Sequence, residues 1–205
     1  MTLDELMKDP SLIMEDVAER SILREIPEAT EKDIKDTLPN MIFLDMYIRF
    51  YFRGEVLKKL ADAGIKVHCY GSGFEDIKTK HPENLIDCGL TDSLGCLKAL
   101  ADSKISVNVM PWFKRGAHDR IFNTMLNGSV SFTDSSEYLD NYLKDDINSV
   151  IYDLKDLDAI PDKVNALLSD EDKMQTIADN GFKMALDDHT WAHRAAEIIK
   201  LCKEL

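Results

Sequence analysis

The sequence predicts an α/β protein: a Rossmann-like, doubly wound parallel sheet of about five strands, with an N-terminal helical extension and C-terminal helices. Three observations predict it. Between residues 65 and 152, short β-branched runs alternate with stretches of helical spacing, the pattern of parallel strands joined by right-handed crossovers. Several runs end in small or polar residues, such as Gly71-Ser72-Gly73 and Thr133-Asp134-Ser135-Ser136. Residues 1–40 and 157–205 carry helical spacing without a strand signal.

The elements follow in chain order. Ser11 is placed to cap a helix running to about residue 25, and Pro27 and Pro39 mark breaks. Residues 40–63 carry Met41, Leu44, Ile48, Phe52, Val56, Leu57 and Leu60 at three- and four-residue steps, an amphipathic helix with Gly64 as its stop. The same stretch is dense in aromatics, at Phe43, Tyr47, Phe50, Tyr51 and Phe52, which implies tight packing or a covered interface. Strands are expected at 65–70, 85–88, 105–109, 129–133 and 149–152. Helices are expected at 91–103, capped by Thr91, at 117–126, and briefly at 137–143.

At the C-terminal end, residues 157–168 read as one helix, and Ser169 with Asp172 resembles a capping box opening a second towards residue 186. Thr190 would cap a last helix over 191–205, with Ala195, Ile198, Ile199 and Cys202 turned inward. The chain divides into a helical extension, 1–53, and a Rossmann-like domain, 54–205.

Charge narrows the function. A formal net charge of −13 excludes a broad nucleic-acid surface. Residues 134–172 hold 12 acidic residues and three lysines, whereas Lys114, Arg115, His118 and Arg120 face only Asp119 between residues 112 and 120. A compact positive spot on a negative protein suits a small anion. No apolar run approaches the roughly 20 residues of a membrane span, and the acidic start lacks the marks of a signal peptide. A cytoplasmic protein is expected. The four cysteines, with no CxxC pair, read as buried free thiols. His189 and His193 have no third ligand nearby, so capping and packing are their expected roles, and no metal is expected.

The positive spot lies at a helix start beyond a strand end, where open parallel sheets hold phosphate-bearing ligands. Gly116 would let a ligand approach the backbone, with Lys114, Arg115 and His118 beside it. Arg120 and Asn123, three apart, share the outer face of that helix. The competing reading makes Lys114 and Arg115 solvated loop charges and pairs Arg120 with a carboxylate. Gly71 and Gly73 lack the full GxGxxG of a dinucleotide fold. Asp134 and Ser135 suit either a helix cap or a ligand contact.

Three stretches, GEVLKKLADAGIKVHCYGSGF, LADSKISVNVMPWFKRGAHDRIFNTMLNGSVSFTDSSEYL and IADNGFKMALDDHTWAHRAAEII, resemble the C-terminal half of group 1 glycosyltransferases. The likeness is greatest to the spore-maturation-type branch of the GT-B fold and covers residues 54–205. It implies a lobe that binds a nucleoside-diphosphate sugar as donor substrate, without a further cofactor, for transfer to an acceptor. By the resemblance, Gly71 and Gly73 line the donor cleft, Gly116, His118 and Arg120 lie near diphosphate or sugar, and Asp134 and Ser135 lie near the transferred sugar. Asn123 stands where the family has a glutamate for the ribose hydroxyls. Residues 1–53 are too short and too helical for the family's acceptor lobe, so an N-terminal Rossmann-like lobe in a parent protein is the implied partner. The alternative is a non-catalytic interaction module that retains the fold.

Overall fold

The computed structural model describes residues 2–204. Met1 and Leu205, which the sequence reading puts in the extension and the last helix, lie outside the described residues. Helices α1 (Thr2–Lys8), α2 (Met14–Glu25) and α3 (Glu31–Thr37) precede the long α4 (Ile42–Asp62). Strands β1 (Val67–Cys69) and β2 (Leu85–Asp87) come next, then α5 (Ser93–Ala101), β3 (Ile105–Asn108), α6 (Asp119–Leu126), β4 (Val130–Thr133) and β5 (Val150–Ile151). The chain closes with α7 (Ile160–Leu168), α8 (Glu171–Asp188) and α9 (Trp191–Glu204).

All five strands pair in parallel, as the alternation predicts, but as two sheets: β1–β2, and β3–β4–β5 in that order. The first sheet has three-residue strands and little ladder to extend. Its Ile65 and Val67 nevertheless pack against the core that receives Ile105 and Val107. Apolar contact continues where the backbone ladder stops.

The side chains of β4 alternate between two layers. Val130 and Phe132 join the larger core, with Ile48, Phe52, Val56 and Leu60 of α4 and Ile160, Val164 and Leu167 of α7. Those α4 residues fall four apart, so one stripe of the helix is sealed. Leu6 of α1 and Val17 of α2 are fully buried in the same core. The N-terminal hairpin is therefore packed against the domain, and α4 runs unbroken through residue 53. A smaller core holds Met110, Ile121 and Met125 with Leu139, Leu143 and Ala185. There Gly181 of α8 is required: a Cβ would lie 2.7 Å from the backbone oxygen of Asn148.

Three helix starts differ from expectation. Helix α2 begins after Ile13 with no side-chain cap, because Ser11 bonds Asp9 instead. Asp92, not Thr91, caps α5 by accepting from the Gly95 amide at 2.7 Å. Asp170, not Ser169, caps α8, accepting from the Lys173 amide at 2.9 Å, while Ser169 turns back to Asn165. Thr30 and Asp33 form a reciprocal capping box that holds α3. The short helix at 137–143 is a single 3-10 turn over Leu139–Asn141.

Two readings of burial are corrected. Helix α9 buries no residue, and Ile198 and Ile199, expected inward, are 60% and 55% exposed. All four thiols are free, but only Cys69 is buried, while Cys96 and Cys202 face solvent. Burial pushes the Cys69 thiol up to about 11. No helix of the described residues is long and apolar enough to cross a membrane.

Candidate functional site

The sheet edge at the ends of β3 and β4 is built from polar side chains that satisfy one another. Asn108 and Thr133 are register partners at the last positions of these strands. Asn108 donates its amide to Thr133 Oγ1 at 3.0 Å, and Thr133 donates its hydroxyl to the Asp134 carbonyl at 2.8 Å. The Tyr152 hydroxyl donates to the Asn108 carbonyl at 2.6 Å. Asn108 Oδ1 lies 3.0 Å from His118 Nδ1 at the cap position of α6.

Asp134 turns inward. Its carboxylate accepts from the Met110 amide at 2.7 Å and pairs with Lys114 Nζ, with side-chain exposures of 2% and 10%. Burial pushes this carboxyl up, opposed by the Lys114 charge and the Met110 N–H. Lys114 also donates to the Ser135 carbonyl at 3.0 Å, and Ser135 donates its hydroxyl to Asp140 at 2.6 Å. Arg115 is held by both oxygens of Asp16 on α2, at 3.1 and 2.8 Å. Thus four of the expected ligand residues, Lys114, Arg115, Asp134 and Ser135, meet partners of their own. Gly116 faces the Phe113 ring, where a Cβ would fall 2.4 Å from the ring tip. Phe113 in turn stacks on His118 with centroids 5.6 Å apart.

A second set of cations gathers between α4 and α6, two of them without carboxylate partners. Arg120, exposed on the first turn of α6, makes no ion pair or hydrogen bond to another described residue. Arg53 of α4 is half-buried, and its Nε is enclosed with no acceptor. Its pKa is lowered by burial and by the charges of Arg120 and Arg49. Arg49, one turn earlier, pairs with Asp45 and lies over the Trp112 ring at 5.9 Å. Trp112 has a left-handed φ of 57° and an enclosed Nε1 without a partner. A non-glycine residue in that region carries backbone strain. His118 sits among these groups, and burial with Arg120, Arg53 and Arg49 lowers its pKa to about 4. Arg49, Trp112, Phe113 and His118 line a cleft of about 180 Å³.

The remaining expected residues lie apart. Gly71 and Gly73 form the turn after β1, with φ of 140° and 86°, and the Gly71 amide bonds the Gly89 carbonyl at 2.9 Å. They line neither of the two clefts described here. Asn123 lies one helical turn beyond Asp119 and donates to it at 3.4 Å. Lys114 and Asp134 themselves line a larger cleft of about 560 Å³. It is also lined by Ser135, Glu137, Asp153 and Asp156 and by Pro10 and Ser11 of the N-terminal turn. Among the described residues no three His, Cys, Asp or Glu side chains cluster to hold a metal. His189 is buried instead against Phe122, with centroids 4.0 Å apart, and against Tyr142.

Sequence reasoning missed Arg49, Arg53, Trp112 and Asn108. The available signal was Arg49 and Arg53 four apart inside an aromatic run, where two cations on one helix face are unexpected.

A search of curated proteins finds no match. Among solved structures, the crystal structure of TarM matches with a TM-score of 0.57 and 16% identity, over 75% of this chain. The match spans 32% of the TarM chain, about a third of its length, and at that identity it shows a shared fold. The glycosyl transferase-like family matches residues 53–200, which takes in β1 through β5 and the whole cationic edge except Arg49. With well over half of its length matched, the chain belongs to the glycosyl transferase-like family.

Proposed function

We propose that this chain is the donor-binding lobe of a GT-B glycosyltransferase of the spore-maturation type, holding a nucleoside-diphosphate sugar. The observation that carries the reading is the set of cations at the start of α6: Arg120 and Arg53 without partners beside a small aromatic-lined cleft. Clustered guanidinium groups repel one another, and a diphosphate at the cluster relieves that repulsion through charge-assisted bonds. The α6 N-terminus adds free N–H groups and a partial positive charge. As the bond to the sugar breaks, charge grows on the leaving diphosphate, where fixed cations stabilise it. Residues 54–205 form the lobe in this reading. A Rossmann-like acceptor lobe in the parent protein would complete a cytoplasmic enzyme.

A second reading, a non-catalytic interaction module with the same fold, is favoured by one observation. Phe43 and Phe50 on α4 are 77% and 61% exposed beside Ile42, Tyr47 and Tyr51. Asn123, an amide in the position of the family's ribose-binding carboxylate, also suits that reading. Calorimetric titration with UDP, GDP and their sugars separates the two. Binding that weakens on Arg120→Ala supports the donor lobe, and no binding by the intact chain leaves the interaction module.

A further inference from the structure

We propose that His118 recognises a hydroxyl group of the bound ligand, accepting its hydrogen bond on an Nε2 that the ends of β3 and β4 keep free of a proton. The inference rests on the nucleotide-sugar reading and assigns one residue a role within it.

The argument follows a chain of donors and acceptors. Thr133 spends its single proton on the Asp134 carbonyl at 2.8 Å, so its oxygen is an acceptor towards Asn108. The group Asn108 presents to Thr133, at 3.0 Å, must then be the NH2. Its carbonyl oxygen therefore faces His118 Nδ1, at 3.0 Å. A carbonyl oxygen donates nothing, so Nδ1 carries the ring proton. In the neutral ring Nε2 is then a bare lone pair, and it makes no hydrogen bond to another described residue.

The charged groups around the ring keep it in that state. Arg120 and Asp119 face it from α6, and Arg49 and Arg53 face it from α4. Three guanidinium groups against one carboxylate disfavour a further positive charge, in line with a pKa of about 4. Phe113, stacked at 5.6 Å with ring planes 22° apart, fixes the plane of the imidazole.

A lone pair cannot bond a phosphate oxygen, which is also an acceptor. The cationic edge is therefore divided between Arg53 and Arg120, which suit the diphosphate, and His118 in the wall of the small cleft, which suits an O–H donor. Sugar and ribose hydroxyls share that chemistry.

Two measurements on the full chain test this. Long-range proton–nitrogen correlation of the imidazole at pH 7 should show the proton on Nδ1, and a proton on Nε2 overturns the proposal. Titration with UDP, UDP-glucose, GDP and GDP-mannose should show His118→Phe weakening the bound nucleotide about 3–10-fold, the cost of one neutral hydrogen bond. His118→Gln, which keeps an acceptor oxygen, should recover most of that loss, and matching thermal midpoints would show both variants folded. Loss with the sugar nucleotide alone identifies a hydroxyl of the transferred sugar, and equal loss with UDP or GDP identifies the ribose. Unchanged affinity in a folded His118→Phe sinks the proposal while the donor-lobe reading stands. Failure of the wild-type chain to bind any of the four removes both.

Discussion

The loop after β3 and the face shared by α4 and α6 each hold a pair of strong cations under opposite conditions, Arg49 on the second face being already paired with Asp45. In the loop, Lys114 is matched by buried Asp134, and Arg115 is clasped by Asp16. Between the helices, Arg53 and Arg120 have no acceptor among the described residues, and each depresses proton binding at His118. Lys114 is part of the architecture, because removing Asp134 leaves a buried charge without its partner. The second pair is the one to which the proposed function assigns the diphosphate. Counting basic residues along the sequence cannot separate them, since what differs is the carboxylate that each one meets.

The largest expected effect belongs to the loop. Asp134→Ala leaves Lys114 buried and unpaired and should cost about 3–5 kcal/mol of stability in urea unfolding. Replacing both partners with apolar residues of similar size should cost far less, and an equal cost would show that the pair is not coupled as described.

Next come the helix cations. Arg120→Ala and Arg53→Ala should each weaken nucleoside-diphosphate binding about 10–100-fold, the range of a charge-assisted hydrogen bond. Arg53→Met should leave the thermal midpoint unchanged or raise it, because the guanidinium is desolvated beside Arg49 and Arg120. A clear fall in that midpoint would make Arg53 structural and erase the contrast with Lys114.

A smaller effect is expected with pH. The folded-state pKa of His118, about 4, lies below its ordinary value of 6.5, so the unfolded chain takes up the proton first. The resulting stability is full above about pH 6.5 and is lost as the pH falls towards about 4. Discounted for the solvent-facing side of the ring, it amounts to about 1–2 kcal/mol. Denaturant midpoints across that window should flatten in His118→Gln relative to the wild type. His189, also lowered by burial, adds a background slope common to both.

The smallest effect belongs to Arg115. Its pair with Asp16 is open to solvent on both sides, so Arg115→Ala should change stability by less than about 1 kcal/mol. A loss of nucleotide binding as large as that of Arg120→Ala would show that Asp16 releases Arg115 to the ligand.

The sequence by itself determined the parallel α/β class, because alternating β-branched and helical spacing admits few other layouts. It also located the helix start that carries His118 and Arg120, through the charge reversal between residues 112 and 120. The buried stripe of α4 was legible for the same reason, since period alone selects Ile48, Phe52, Val56 and Leu60. Only tertiary structure decided which neighbour each residue meets. The apolar stripe of α9 is as regular as that of α4, yet no described element covers it. Asp170 and not Ser169 takes the cap of α8, a choice among adjacent oxygens set by backbone geometry. Arg53 comes to His118 from an element more than 60 residues away, across the domain. Periodicity reports which face of an element is apolar. Whether a charge is paired depends on contacts between distant segments, which no local pattern encodes.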